Sequence, residues 1–95
     1  MEIWFLYLIR CKDHSLYTGI STDVRRRLKE HQGNDKKGSR YLRGKAPLKT
    51  VFKKKIGDKS LASKVEIKVK KLPKAKKELL VKGKLRIKEI IDQVD

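Results

Sequence analysis

The chain has 95 residues, 38% apolar and 40% charged, with 27 Lys and Arg against 11 Asp and Glu, a net charge of +16. A chain this short is one domain that buries about 60–65% of the surface its unfolded form exposes, which leaves one modest core and no room for a second. Its lone cysteine, Cys11, excludes an internal disulfide partner and suits a reducing cytoplasm, where a small buried hydrophobe near a strand end is the expected role.

The charge is unevenly placed. Residues 1–35 hold six basic and five acidic side chains, whereas residues 36–95 hold 21 basic and six acidic ones. The first third is nearly neutral and the remainder supplies a positive field, which attracts phosphate backbones without reading sequence. A lysine-rich face that only aids solubility is the plainer alternative, and the size and lopsidedness of the excess argue against it. No membrane partner is expected. The apolar run from Ile3 to Ile9 is too short to span a bilayer, and Glu2 stands where a signal peptide would carry positive charge.

In chain order, Ile3 to Arg10 is rich in β-branched and aromatic residues and reads as a buried central strand. Lys12 to Ser15 is turn-forming, and Leu16 to Ile20 is a second strand, so the two form a hairpin. Tyr7 and Tyr17 then come from adjacent strands and can meet on one face. Ser21, Thr22 and Asp23 offer N-caps for a helix over Val24 to His31, which Gly33 stops. Val24, Leu28 and His31 share a face of it, and Arg27 lies one turn before His31.

A basic segment with three glycines runs from Gln32 to Ala46. It is long for a loop, and long loops are often functional. Tyr41 and Arg43 within it suit stacking on a base or gripping a phosphate, with a loop anchored by one aromatic as the equal alternative. Pro47 to Lys55 is a third strand, whose leading proline favours an edge. Asp58 or Ser60 caps a helix with Leu61, Val65, Val69 and Leu72 as its apolar stripe. Pro73 breaks that helix and opens the next, which carries Ala75, Leu79 and Leu80 to Gly83. Leu85, Ile87, Ile90, Ile91 and Val94 mark a last helix. The expected organisation is a domain over 1–82 and a C-terminal helical extension of it over 83–95.

Tyr7, Tyr17, Gly19, Arg27, His31 and Glu66 together resemble the signature of the GIY-YIG nuclease superfamily. Phe5-Leu6-Tyr7 looks like its first tripeptide and Tyr17-Thr18-Gly19 like its second. Arg27 and Glu66 match its arginine and its metal-binding glutamate. Leu16 to Asp23, followed by Arg26 to His31, is similar to the small stand-alone bacterial members. The likeness runs from about Trp4 to about Leu80. The chain departs from the pattern at Phe5, where the name has glycine, at Thr18, where it has isoleucine, and at Ile20, where some members have lysine. The asparagine that many members carry beyond the glutamate has no counterpart, the one asparagine being Asn34.

The resemblance implies a mixed α+β (α/β) fold, a small three-stranded antiparallel sheet flanked by helices. It implies a DNA endonuclease, nonspecific or structure-selective, acting in repair or recombination, with one Mg²⁺ or Mn²⁺ on Glu66. A single carboxylate suffices for such an ion, which leaves its other positions to water and phosphate. Arg27 would neutralise phosphoryl oxygens. Tyr7 would act as general base, lowered by cationic neighbours and with His31 accepting its proton, and Tyr17 is the alternative base. Gly19 would let the backbone turn into the helix without a Cβ. Arg26, Lys37, Arg40, Tyr41, Arg43, Lys70 and Lys74 are the candidate nucleic-acid contacts, for DNA or alternatively RNA, in a monomer or weak homodimer.

Each residue alone has a plainer job: sheet packing for the tyrosines, solvent for Arg27, a helix-end dipole for His31, a pair with Lys70 for Glu66. Their joint order and spacing favours the site. The competing function is a binding module that keeps the fold and uses its basic surface with cleavage weak or lost. A basic amphipathic protein on anionic membranes ranks third, because the apolar stripes are needed for the core.

Overall fold

The structure, a computed structural model, describes residues 2–33 and 39–94. Strand β1 (Trp4–Arg10) and strand β2 (Leu16–Ser21) form the hairpin, and strand β3 (Lys49–Gly57) pairs with the other side of β1. The sheet is antiparallel throughout with order β2-β1-β3, so the most apolar strand is central. β3 is an edge strand, starting two residues beyond Pro47, and Lys53, Lys54 and Lys55 stud it. Such charges discourage pairing with another chain's edge.

Helices cover both faces of β1, which explains its unbroken apolar run. Leu6 and Leu8 point to one face and Tyr7 and Ile9 to the other, as strand alternation requires. All four are essentially inaccessible. Helix α2 (Lys59–Lys70), helix α3 (Lys74–Val81) and helix α4 (Ile87–Ile91) bury an aliphatic cluster with Leu6 and Leu8. It includes Val65, Val69, Leu80, Ile87 and Ile90. Asp58 caps α2 by accepting from the Leu61 N–H at 2.9 Å. Pro73 stands at the N-cap of α3, one place before the first helical position expected for it, and provides no side-chain cap.

Helix α1 (Val24–Gln32) crosses the opposite face. Asp23 caps it, accepting from the Arg26 N–H at 3.0 Å, and Gly33 closes it. Val24 joins Tyr7, Ile9, Cys11, Leu42 and Leu48 in a second buried cluster. Cys11 is a buried free thiol just past β1. The segment after α1 holds a short 3₁₀ turn, Arg40–Leu42, which Ser39 caps. Its anchor is Leu42, 1% exposed, and not the neighbouring Tyr41, 48% exposed. The Lys12 N–H donates to the Lys45 carbonyl at 2.8 Å, and Gln32 Nε2 donates to the Leu48 carbonyl at 2.8 Å, which ties this segment to the hairpin and to α1. Across the sheet, Arg10 makes a two-pronged pair with Glu78 of α3, an arrangement stronger than a single surface contact.

Candidate active site

The site grows from the register of the hairpin. Tyr7 lies opposite Gly19, and Ile9 lies opposite Tyr17. Tyr7 and Ile9 share a face, so Tyr17 is the diagonal neighbour of Tyr7, and their ring centroids are 6.5 Å apart. Gly19 is needed for space. A Cβ there would collide with the hydroxyl and ring of Tyr7, closer than real Cβ atoms approach anything. The turn-forming role expected for it is not seen, because Gly19 sits inside β2 and is absent from the residues with left-handed backbone.

Helix α1 brings the cations. His31 is 4% exposed, its ring 5.5 Å from that of Tyr17 in an edge-on arrangement. Its Nε2 lies 3.2 Å from the Tyr7 hydroxyl. The Ser39 backbone N–H donates to Nδ1 at 3.0 Å. A backbone N–H can only donate, so Nδ1 is the unprotonated nitrogen and Nε2 carries the hydrogen. Burial, then the Arg27 charge, lowers the His31 pKa, which keeps the ring neutral at pH 7. His31 therefore donates to Tyr7. The expected role of accepting the phenolic proton does not fit this tautomer.

Arg27 also hydrogen-bonds the Tyr7 hydroxyl, and its Nη1 donates to Glu30 at 2.9 Å. The oxygen of Tyr7 thus receives two donors, which favours the phenolate. Burial outweighs them and, with Tyr17 adding to it, pushes the pKa up to about 12. The lowering expected from cationic neighbours is present as a component and is overcome by desolvation.

Glu66 comes from α2, one residue after buried Val65. Its charge adds to the rise in the Tyr7 pKa, so it belongs to the same cluster. Lys70 Nζ lies 3.5 Å from its carboxylate, one turn on, the plain i,i+4 pair weighed from the sequence. Among the described residues no three His, Cys, Asp or Glu side chains gather in a metal-binding group. That donor set does not suit a zinc-type site with three or four protein ligands. It fits a hard ion such as Mg²⁺ or Mn²⁺, which can take one carboxylate oxygen and fill its shell with water and phosphate.

The candidate nucleic-acid contacts are more scattered. Arg26 is well exposed, 3.9 Å from Glu30. Arg40, Tyr41 and Arg43 follow one another on and after the 3₁₀ turn, with both arginines exposed. Tyr41 stacks on Tyr17 at 5.9 Å and 27°, and Lys45 Nζ sits over its ring at 3.6 Å. Lys70 ends α2 beside the site, and exposed Lys74 begins α3. Lys37, like Asn34, lies outside the described residues. Sequence reasoning missed Glu30, Ser39 and Lys45. The spacing of Glu30 from Arg26 and Arg27 does signal its pairs. Nothing local signals a backbone N–H from Ser39 to His31, or a lysine placed over Tyr41.

A tyrosine pair, a buried arginine–histidine couple and one carboxylate on a three-stranded hairpin sheet define a class of nuclease domain. The family model of the GIY-YIG catalytic domain matches residues 3–79, and the chain belongs to the GIY-YIG family. The UPF0213 protein of Cronobacter sakazakii is 53% identical over 85 residues, which covers 90% of this chain and 87% of that protein. UPF0213 protein YhbQ of Escherichia coli K12 is 54% identical over 81 residues, 85% of this chain and 79% of that one. The solution NMR structure of UPF0213 protein BH0048 from Bacillus halodurans shares the fold at a TM-score of 0.55 and 38% identity, covering 98% of this chain and 97% of that one. No helix among the described residues is long and apolar enough to cross a membrane.

Proposed function

We propose that the chain is a metal-dependent endonuclease that hydrolyses phosphodiester bonds of DNA, nonspecifically or by structure. The observation that carries this reading is the Tyr7 hydroxyl held by His31 and Arg27, with Tyr17 on one side and the Glu66 charge close by. Glu66 would hold the single Mg²⁺ or Mn²⁺, which when bound supplies charge stabilisation to the scissile phosphate and the leaving oxygen.

The other roles belong to the chain itself. His31 and Arg27 aim two hydrogens at the Tyr7 oxygen, so its own proton is directed away from both, toward an incoming water or phosphoryl oxygen. Tyr7 keeps that proton until further positive charge reaches the cluster, and the two donors then stabilise the phenolate that acts as base. Arg27 lies close enough to neutralise the phosphoryl oxygens as attack proceeds. Tyr17, half-buried beside Tyr7, positions the water or serves as the alternative base. The lysines and arginines of the later two thirds hold the backbone electrostatically. Residues 1–82 with their helical extension 83–95 act as one unit, a cytoplasmic monomer or weak homodimer. Structure-selective cutting of this kind would serve repair or recombination.

One observation favours a second reading. A phenol pushed up to about 12 is a poor base, which is what a module that binds DNA or RNA with little cleavage would show. A labelled panel of duplex, nicked, flap and branched DNA with Mg²⁺ or Mn²⁺ separates the two. Wild type should cut, and Glu66→Ala and Arg27→Ala should each lower cutting by at least about 100-fold, the scale of losing one transition-state contact. Absence of cutting in either metal, with binding intact in all three proteins, selects the binding module.

A further inference from the structure

Beside the tyrosine cluster, a depression of about 290 Å³ wraps the outer edge of β2. Its lining is Leu16, Tyr17, Thr18, Tyr41, Lys70 and Lys77. Two stacked phenol rings and a leucine form an apolar and aromatic wall, and the lysines of α2 and α3 stand at its rim. Lys45 over the outer face of Tyr41, with hydrogen bonds from Lys45 and Ser15 side chains to its hydroxyl, holds that ring in place. A wall already ordered loses little freedom when something packs against it.

Thr18 supplies the second observation. It is 3% exposed, and its Oγ1 is a buried side-chain atom with no hydrogen-bond partner among the described residues. A buried hydroxyl left unpaired is destabilising, and a valine of the same shape would avoid that cost.

We propose that this depression is a subsite for one unpaired nucleobase, so that the chain takes single-stranded nucleic acid or a frayed or flapped end. The ring of the base packs against Leu16, Tyr17 and Tyr41, its polar edge reaches Thr18 Oγ1, and Lys70 and Lys77 meet the flanking phosphates. A paired base cannot do this, because its faces are stacked and its edges are engaged within the duplex. Tyr17 is shared by the subsite and the candidate catalytic cluster, so a base seated here puts its own phosphodiester next to Tyr7 and Glu66. The subsite rests on the nucleic-acid reading above and makes it specific as to strand state.

The test is binding by fluorescence anisotropy in chelator, where no metal-dependent cleavage occurs. Short labelled oligothymidylate, oligouridylate and a hairpin duplex serve as probes for wild type, Thr18→Val, Tyr41→Ala and Tyr41→Phe. Wild type should bind the single strands more tightly than the duplex, and a preference between the two single strands identifies the sugar. Tyr41→Ala should weaken single-strand binding on the order of tenfold, with Tyr41→Phe near wild type, as a stacking contact requires. Thr18→Val should lose several-fold for single strands and nothing for duplex, with a melting temperature equal to wild type or higher. Equal affinity for single strand and duplex overturns the proposal. So does unchanged single-strand binding in both Thr18→Val and Tyr41→Ala. Cleavage assays keep the two readings apart. No cutting with the single-strand preference intact removes the nuclease and leaves the subsite, and cutting without that preference does the reverse.

Discussion

The two faces of β1 are built on different principles. Toward α2, α3 and α4 the strand presents Leu6 and Leu8 to a cluster made wholly of aliphatic side chains. Toward α1 it presents Tyr7, and there a phenol, an imidazole and a guanidinium are packed together with their hydrogen bonds specified. The aliphatic face is held by area and shape, which tolerate exchange among residues of similar volume. The phenol face is held by directed contacts, each of which leaves a buried group unpaired if its partner is removed. One strand thus serves as the rigid floor of the core and as the mount for the candidate site.

The difference is most easily broken from the aliphatic side. Leu8→Ala should destabilise the protein by about 2–5 kcal/mol, read by denaturant unfolding, because the cavity lies under three helices that cannot all relax into it. The protein that remains folded at low temperature should still cut DNA, since no partner of Tyr7 is altered. Next in size is Gly19→Ala. The added Cβ must displace the Tyr7 ring, at a cost of about 1–3 kcal/mol, and cleavage should fall by more than that loss of folded protein explains. A Gly19→Ala protein as stable and as active as wild type would show that the close approach of β2 to Tyr7 is dispensable.

The smallest effect sharpens the contrast through pH. Burial lowers the His31 pKa in the folded chain, so the unfolded chain binds more protons below its ordinary value of about 6.5. The stability His31 contributes is therefore complete above about pH 6.5 and is lost as pH falls from there through the lower folded pKa. Melting temperature should decline over this range, ahead of the carboxylates. Asp13, held down to about 2 by Ser15, and Glu78, held below the usual range by Arg10, come into play only in stronger acid. His31→Leu should flatten the decline, and an unchanged profile would place the proton uptake elsewhere.

Much of this arrangement was legible in the residues themselves, and the reasons differ from place to place. Strand β1 was evident because a short apolar run bounded by turn residues has few other uses. Helix α2 was evident from four apolar positions at helical spacing behind Asp58. The edge position of β3 followed from Pro47, although the strand begins at Lys49. The meeting of Tyr7 with Tyr17 needed only a hairpin and its alternation. The 3₁₀ turn was not legible, because nothing local says that Leu42, and not Tyr41, is the buried anchor. The purpose of Gly19 was misread for a similar reason, since the ring it makes room for is twelve residues away and its own backbone is ordinary.

What the sequence by itself determined is the set of elements and the identity of the chemical groups. Local periodicity, caps and turns are short-range, and the GIY-YIG pattern lists which side chains matter. Only the tertiary structure decided how those groups act on one another. The tautomer of His31 depends on a backbone N–H from Ser39, and the pKa of Tyr7 depends on how completely α1 and the sheet exclude water from it. Protonation and hydrogen-bond direction are set by solvation and by partners distant in the chain, and both come into being only when the elements pack.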